Sequence, residues 1–228
     1  MRSDSSDGTP KESFIAGARR AQILQAAVRV LVANGYTGTS LARIAAEAGV
    51  AKGVVSYHFR GKDELLEQVV IDAYTRGAEE MVPKIMAQPD ARGMLRAYLR
   101  GNLEFLDANR DQIVALGEVI LNLRRPDGSL RFDEEGSLEV VRPLADLLAG
   151  GQRSGEFADF DPLTIAYVLR DAIDGVSGRL RVDPDYDIAG FAEQFVGFAE
   201  RAIHRSPADP ADSAAAPSTS DQPSDDGK

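Results

Sequence analysis

The stretch TSLARIAAEAGVAKGVVSYHFRGKD, residues Thr39 to Asp63, decides how the rest of this chain is read. Leu41, Ile44, Ala45 and Ala48 recur at helical spacing, and Gly49 interrupts them. Val50, Val55 and Phe59 then form a second short apolar face. Ala45 is small where two helices must cross closely. Gly49 stands where the connecting turn needs a positive φ, which a glycine adopts without steric cost. Val55 anchors the second helix on the first. The pattern is that of a helix-turn-helix, with a recognition helix expected over about Ala51 to Phe59. Lys52, Gly53, Val54, Ser56, Tyr57 and His58 then lie toward its outward side, where a major groove is read.

The flanks extend the pattern. Ile23, Ala27, Val30 and Leu31 fall at i, i+4, i+7 and i+8, which predicts an amphipathic first helix from about Phe14 to Asn34. Thr39 or Ser40 is the expected cap of the second helix. After the recognition helix, Gly61-Lys62-Asp63-Glu64 opens a further helix with acids in its first turn. That helix is expected to run to about Val82 and to stop near Pro83.

From about Ala18 to Val70 the chain resembles the TetR family of bacterial transcription regulators. NGYTGTS, IAAEAGVAKG and SYHFRGKDELL carry the resemblance together. It implies three N-terminal DNA-binding helices and a fourth that connects them to a larger helical domain, which binds a small molecule and dimerises. It also implies a phosphate contact for Lys62 at the start of the fourth helix, where free N–H groups add to the ammonium. Family members commonly place Tyr at the position of Ser56. Here Ser56 is followed by Tyr57, and either side chain is a candidate for that backbone contact.

Charge supports the same end of the chain. The net charge is −10, which alone argues against a polyanionic partner. Residues 1–62, however, carry nine Lys or Arg against four Asp or Glu, and the remainder carries 17 against 32. Phosphate binding depends on the field within a Debye length of about 8–10 Å, so the local excess decides. Zero cysteines exclude a disulfide framework, a thiolate metal site and a cysteine nucleophile. Two histidines leave little for a metal site, and His58 has no partner at a spacing that would make it a catalytic base. No metal, cofactor or catalytic residue is expected. No apolar run reaches the ~18–20 residues that span a bilayer, and the N-terminus lacks a hydrophobic signal region, so a cytoplasmic location without membrane contact is expected.

Beyond residue 62 every periodic stretch is helical, and the fold class is all-α. Residues 1–12 and 206–228 read as a disordered arm and tail, 13–61 as the DNA-binding domain and 62–205 as the effector-binding and dimerisation domain. Residues 111–123 are apolar nearly all round, the mark of a buried helix, and 124–136 form a charged loop. Helices are expected over about 137–153, 162–181 and 186–204, with Asp161 as cap and Pro162 at the first helical position of the second of these.

Polar residues within the apolar helices are the candidate effector contacts: Asn102, Glu118, Asn122, Arg170, Asp171 and Asp174, with Tyr98, Phe105 and Tyr167 as cavity lining. Glu118 and Asn122 are one turn apart, so one carboxylate or amide is expected to face inward and needs a partner. Ile188, Phe191, Phe195 and Phe198 repeat at seam-like spacing, as do Ala166, Leu169, Ile173, Val176 and Leu180. These are the candidate dimer residues, with intramolecular packing as the alternative. Gly175, Gly178 and Gly197 fall mid-helix, where each costs about 1 kcal/mol relative to Ala, and close helix–helix approach is the simplest reason to keep them.

The expected partners are therefore double-stranded DNA at a palindromic operator, a second copy of the chain, and a small-molecule effector. The expected DNA contacts are Thr39, Ser40, Ala51, Lys52, Gly53, Val54, Ser56, Tyr57, His58 and Lys62. The function expected is a ligand-responsive repressor. An activator or a regulator controlled by a protein partner is the nearest alternative, and an all-α enzyme with a helix-turn-helix appendage is the alternative from another class.

Overall fold

A computed structural model describes residues 10–132 and 134–204, with side chains described over 14–132 and 138–204. Among the described residues the chain folds into nine helices: α1 (Pro10–Gly38), α2 (Leu41–Glu47), α3 (Lys52–His58), α4 (Lys62–Met86), α5 (Ala91–Ala108), α6 (Arg110–Asn122), α7 (Glu134–Arg153), α8 (Pro162–Val182) and α9 (Ile188–Ile203). Their only β pairings are two isolated bridges, Arg124 with Leu130 and Phe157 with His204. The expected tail lies outside the described residues, as does most of the arm, whose last residues already belong to α1.

Local chemistry accounts for several helix ends. Ser40, Asp90, Asp161 and Asp187 cap α2, α5, α8 and α9, each accepting from the backbone N–H three residues on. Pro162 begins α8 as expected. Gly35 leaves helical geometry with φ 66° and ψ 177°, so the regular part of α1 ends at Asn34. Gly49 has φ 66° in the α2–α3 turn, the conformation that motivated its reading there. One expectation fails at α4: the helix does not stop at Pro83 but continues to Met86. Pro83 lies in the final turn, and the Glu79 carbonyl it leaves without an intrahelical donor sits on an exposed residue open to water.

Two apolar cores organise the packing. The first joins Ile23, Ala27 and Leu31 of α1, Ile44 and Ala45 of α2, Val55 of α3, Phe59, and Leu65, Leu66 and Val69 of α4. Leu116 and Val119 of α6 and Leu123 complete it. This core therefore extends well past residue 61: the helix-turn-helix is closed from above by α4 and α6. The second core joins Leu95, Leu99 and Leu103 of α5 to Leu144 and Leu148 of α7, Ile173 and Val176 of α8, and Val196 and Ile203 of α9. Ile113 of α6 packs against both cores. Each fully buried Leu, Ile or Val contributes roughly 1.5–3 kcal/mol.

The second core corrects the seam reading. Ala166, Leu169, Ile173, Val176, Leu180 and Ile188 are all buried within one chain, so they are closed to a second copy. Phe191 and Phe195 are half-buried and stacked on each other at 5.4 Å. Of the nine candidates only Phe198 is exposed, at 60%. A 3-4 repeat marks the buried stripe of any bundle helix and does not say whose helix it faces.

Candidate nucleic-acid interface

The recognition helix α3 is held by its buried face. Val55 and Phe59 are wholly buried, whereas Ala51, Lys52, Gly53, Ser56 and Tyr57 are exposed. Val54 and His58 are half-buried at the edge of the same face. Tyr57 is 84% exposed, an unusual placement for a large aromatic residue. Its ring meets that of His58 edge-on with the centroids 5.2 Å apart, and the neighbouring Ser56 is exposed.

Polar pins set the angle of this unit. The Arg20 guanidinium of α1 lies 4.5 Å from the Phe59 ring centroid, donates to the Gln68 side chain at 2.6 Å and reaches the His58 carbonyl at 3.5 Å. Gln22 donates to the Ala48 carbonyl at 2.8 Å, closing the C-terminal end of α2. Arg43 donates to the Gly38 carbonyl at 2.7 Å and to Asn34 at 3.0 Å. The helix-turn-helix is thus tied to α1 and α4 by charge-assisted bonds as well as by its core.

Ser40 is half-buried at the N-terminus of α2 and accepts from the Arg43 N–H, so it fills the expected cap. Thr39 does not take the expected place on the interface. It is 3% exposed and its hydroxyl donates to the Gly35 carbonyl at 2.8 Å, which makes it a lock on the α1–α2 corner. A buried hydroxyl with a partner is not available to a phosphate.

Lys62 sits at the first position of α4, beside the recognition helix. Its Nζ donates to the Tyr36 carbonyl at 2.8 Å and lies 4.6 Å from the centre of the Tyr36 ring. The other side of Tyr36 is held by Glu118, whose Oε2 accepts the Tyr36 N–H at 2.8 Å. Glu118 is half-buried on α6, and its partner lies 82 residues away in sequence. Glu118 thus faces the DNA-binding core and not the second core. Burial, with Asp63 nearby, pushes the Tyr36 hydroxyl pKa up, against the opposing pull of Arg124. Tyr36 lies within NGYTGTS, but no contact is expected for it from the sequence. The one signal for it was Gly35, whose backbone turns the chain so that both neighbouring peptides face charged groups.

The candidate effector residues separate into two sets. Arg170 of α8 is largely buried and forms a two-point pair with Asp174, at 2.6 and 2.8 Å. Asn102 of α5 is buried; its Oδ1 accepts from Arg170 at 3.3 Å, and its Nδ2 donates to the Tyr98 carbonyl at 2.8 Å. The Tyr74 ring of α4 lies 5.7 Å from the same guanidinium. Although burial opposes the charge, Asp174 more than offsets it and holds the Arg170 pKa above its ordinary value. Phe105 lies 3.8 Å from a side chain built at Gly77, and Met81 fills the space between Gly77 and Gly101. Tyr167 and Tyr98 are half-buried against the second core. Asn122 and Asp171 do not join this set: both are exposed, and the Asn122 amide donates to the Glu118 carbonyl of its own helix.

Among the described residues no group of three or more His, Cys, Asp or Glu is placed to hold a metal ion, and no helix is long and apolar enough to cross a membrane.

Comparison with known proteins agrees with this geometry. Residues 23–69 match the model of bacterial regulatory proteins of the tetR family. The chain is 34% identical over 90 residues to the HTH-type transcriptional regulator BetI of Burkholderia ambifaria, covering 38% of this chain and 45% of BetI. The match therefore spans less than half the length of that relative. Over more of the chain, the fold is similar to the transcriptional regulator FadR from Bacillus subtilis in complex with stearoyl-CoA, with TM-score 0.70, 24% identity, and 81% and 99% of the two chains covered. It is also similar to AibR in complex with isovaleryl coenzyme A and operator DNA, with TM-score 0.62, 21% identity, and 79% and 97% covered.

Proposed function

We propose that this chain, a member of the tetR family of bacterial regulatory proteins, is a homodimeric repressor that a small molecule releases from a palindromic operator. The observation that carries the reading is the α3 face: Lys52, Gly53, Ser56 and Tyr57 stand exposed on a helix whose other face is wholly buried. Backbone can approach backbone at Gly53. Lys52 has the reach for a guanine edge or a phosphate, and Val54 suits a thymine methyl. Ser56, Tyr57, His58 and Ser40 supply hydrogen bonds to phosphates, and Lys62 supplies an ammonium beside the free N–H groups of α4. The protein acts in the cytoplasm, where its DNA is.

Two copies are needed because one seven-residue recognition helix reads only a half-site, and half-sites repeat about 34–36 Å apart. The face that supports pairing is the outer side of α8 and α9. Phe198 and Val168 are more than half exposed there. Gly175, Gly178 and Gly197 have near them only arginine tips from their own helices, so among the described residues no other helix packs onto those glycines. Phe198→Glu is expected to give a monomer by sedimentation with helicity retained. A dimer of undiminished stability would move the interface elsewhere.

Effector candidates follow from the proteins of similar fold. FadR is described with stearoyl-CoA and AibR with isovaleryl coenzyme A, so acyl-CoA thioesters are the first class to test. Arg170, Asn102, Asp174, Tyr98, Tyr167 and Phe105 are the contacts we assign to it. The test has three steps. DNA bound from a random pool should contain an inverted repeat. Lys62→Ala should weaken binding about equally on all sequences and lower the salt slope by about one counterion, while Tyr57→Phe should weaken binding without unfolding. Stearoyl-CoA and isovaleryl-CoA are then titrated into the complex. No salt-dependent DNA complex at any step sinks the proposal.

A further inference from the structure

Resting on that reading, we infer that Glu118 and Tyr36 are positioning residues for DNA binding: α6 sets where Lys62 meets a phosphate, through the backbone of Tyr36.

Both peptide groups flanking the Tyr36 Cα are held. The first carries the Tyr36 N–H, which donates to Glu118 at 2.8 Å, and the Gly35 carbonyl, which accepts from the Thr39 hydroxyl at 2.8 Å. The second carries the Tyr36 carbonyl, which accepts from Lys62 at 2.8 Å. An anion from α6 and a cation from α4 therefore grip one residue from opposite sides. Such charge-assisted bonds are short and directional, so displacement of Glu118 displaces the carbonyl that Lys62 follows.

Tyr36 supports Lys62 and does not compete with DNA for it. An ammonium has three N–H donors. The carbonyl takes one and the ring face attracts the cation, which leaves N–H groups for a phosphate oxygen. A lysine free in solvent loses much rotamer freedom on binding. Here that freedom is already restricted before DNA arrives.

Movement of α6 is not free to leave Glu118 behind. Leu116 and Val119 on either side of it are buried in the first core. One residue earlier, Gly117 faces α8, with Ser177 3.8 Å from a side chain built there. Ser177 in turn donates to the carbonyl of Asp174, the partner of Arg170. A shift of α8 at the Arg170 cluster thus meets α6 beside the residue that holds Tyr36.

The test is a double-mutant cycle on DNA affinity and salt slope, using the full chain, with a selected operator duplex and a random duplex of equal length. Glu118→Gln keeps the shape and removes the charge. It is expected to weaken binding to both duplexes about fivefold and to lower the salt slope by part of a counterion. In the Lys62→Ala background the same change should have no further effect, because its path to DNA is gone. Full additivity of the two changes, or a Glu118→Gln variant with unchanged affinity, overturns the inference while leaving the proposed function intact. Parent protein that binds neither duplex overturns both. If thermal melting shows that Glu118→Gln is unfolded, Glu118→Asp replaces it in the cycle, since it keeps the charge and draws the carboxylate away from the Tyr36 N–H; additivity there overturns the inference equally.

Discussion

The two charged clusters of this molecule are built on opposite plans. At Arg170 the cation and its carboxylate are one helical turn apart on α8, and Asn102, Tyr74 and Tyr98 come to it from other helices. At Tyr36 both charged partners are distant in sequence: Lys62 is 26 residues away and Glu118 is 82. The first cluster is a pair made by one helix and packed by its neighbours. The second exists only once α1, α4 and α6 have assembled. A local pair mainly stabilises the fold around it, whereas a long-range grip reports the relative position of the elements that make it.

This contrast makes measurable predictions. The largest effect should come from Arg170→Ala. Removing one partner of a buried pair costs roughly 3–5 kcal/mol, and because Asp174 is half-exposed we expect about 2–3 kcal/mol in chemical denaturation. Arg170→Met should recover part of that loss by filling the volume. A near-neutral Arg170→Ala would mean that the pair is solvent-bridged and that the two clusters do not differ in kind.

Glu118→Gln should cost only about 1 kcal/mol of stability or less, because Gln can still accept the Tyr36 N–H. Its effect on DNA binding should exceed its effect on folding in relative terms. The reverse ranking would make Glu118 a stabilising group like Asp174.

A third measurement separates both clusters from acid sensitivity near neutrality. Burial of the imidazole, helped by Arg92 and opposed by Glu200, pushes the His204 pKa down; its Nε2 is buried without a partner among the described residues, and the ring stacks on Phe157. The folded state therefore favours neutral His204. That contribution is full above the ordinary histidine value of about 6.5 and is lost as pH falls from there toward the lower folded value. Melting temperature should drop over this window in the parent. It should stay flatter in His204→Phe, which keeps the stack. A slope that persists in His204→Phe would point to one of the two clusters instead.

The smallest effect is expected from Tyr36→Phe. The grip uses the backbone and ring face of Tyr36, not its hydroxyl, so both stability and DNA affinity should stay within about 0.5 kcal/mol of the parent. A large loss of DNA affinity would give the hydroxyl a direct phosphate contact.

The same contrast explains what could be read in advance. Periodicity and turn chemistry are local, so α2, Gly49, α3, the Asp161 cap and the Pro162 start are all legible in the sequence. Glu118 was legible only as a carboxylate in need of a partner, because a backbone N–H far away leaves no trace in spacing. Thr39 looked like a cap or a DNA contact because hydroxyls are polar; the kink at Gly35 turned it inward. The dimer seam failed for a related reason. Ile173 and Val176 show the period of a buried face, and period carries no information about which chain does the burying. The exposure of Tyr57 was legible because its spacing sets it opposite the buried Val55.

Gly35 is constrained twice over. Its φ of 66° with ψ of 177° lies in a region that is essentially reserved for glycine, so even Asn or Asp, which tolerate ordinary left-handed turns, do not fit. Any Cβ would also stand 3.3 Å from the Glu118 carboxylate. In a saturation library sorted by reporter silencing, position 35 should therefore lose every replacement, while Tyr36 beside it accepts Phe. Such a profile would mimic that of a base-reading residue, although Gly35 itself touches no DNA in the proposed arrangement. Only a binding assay at several salt concentrations, matched with a folding assay, would tell the two apart.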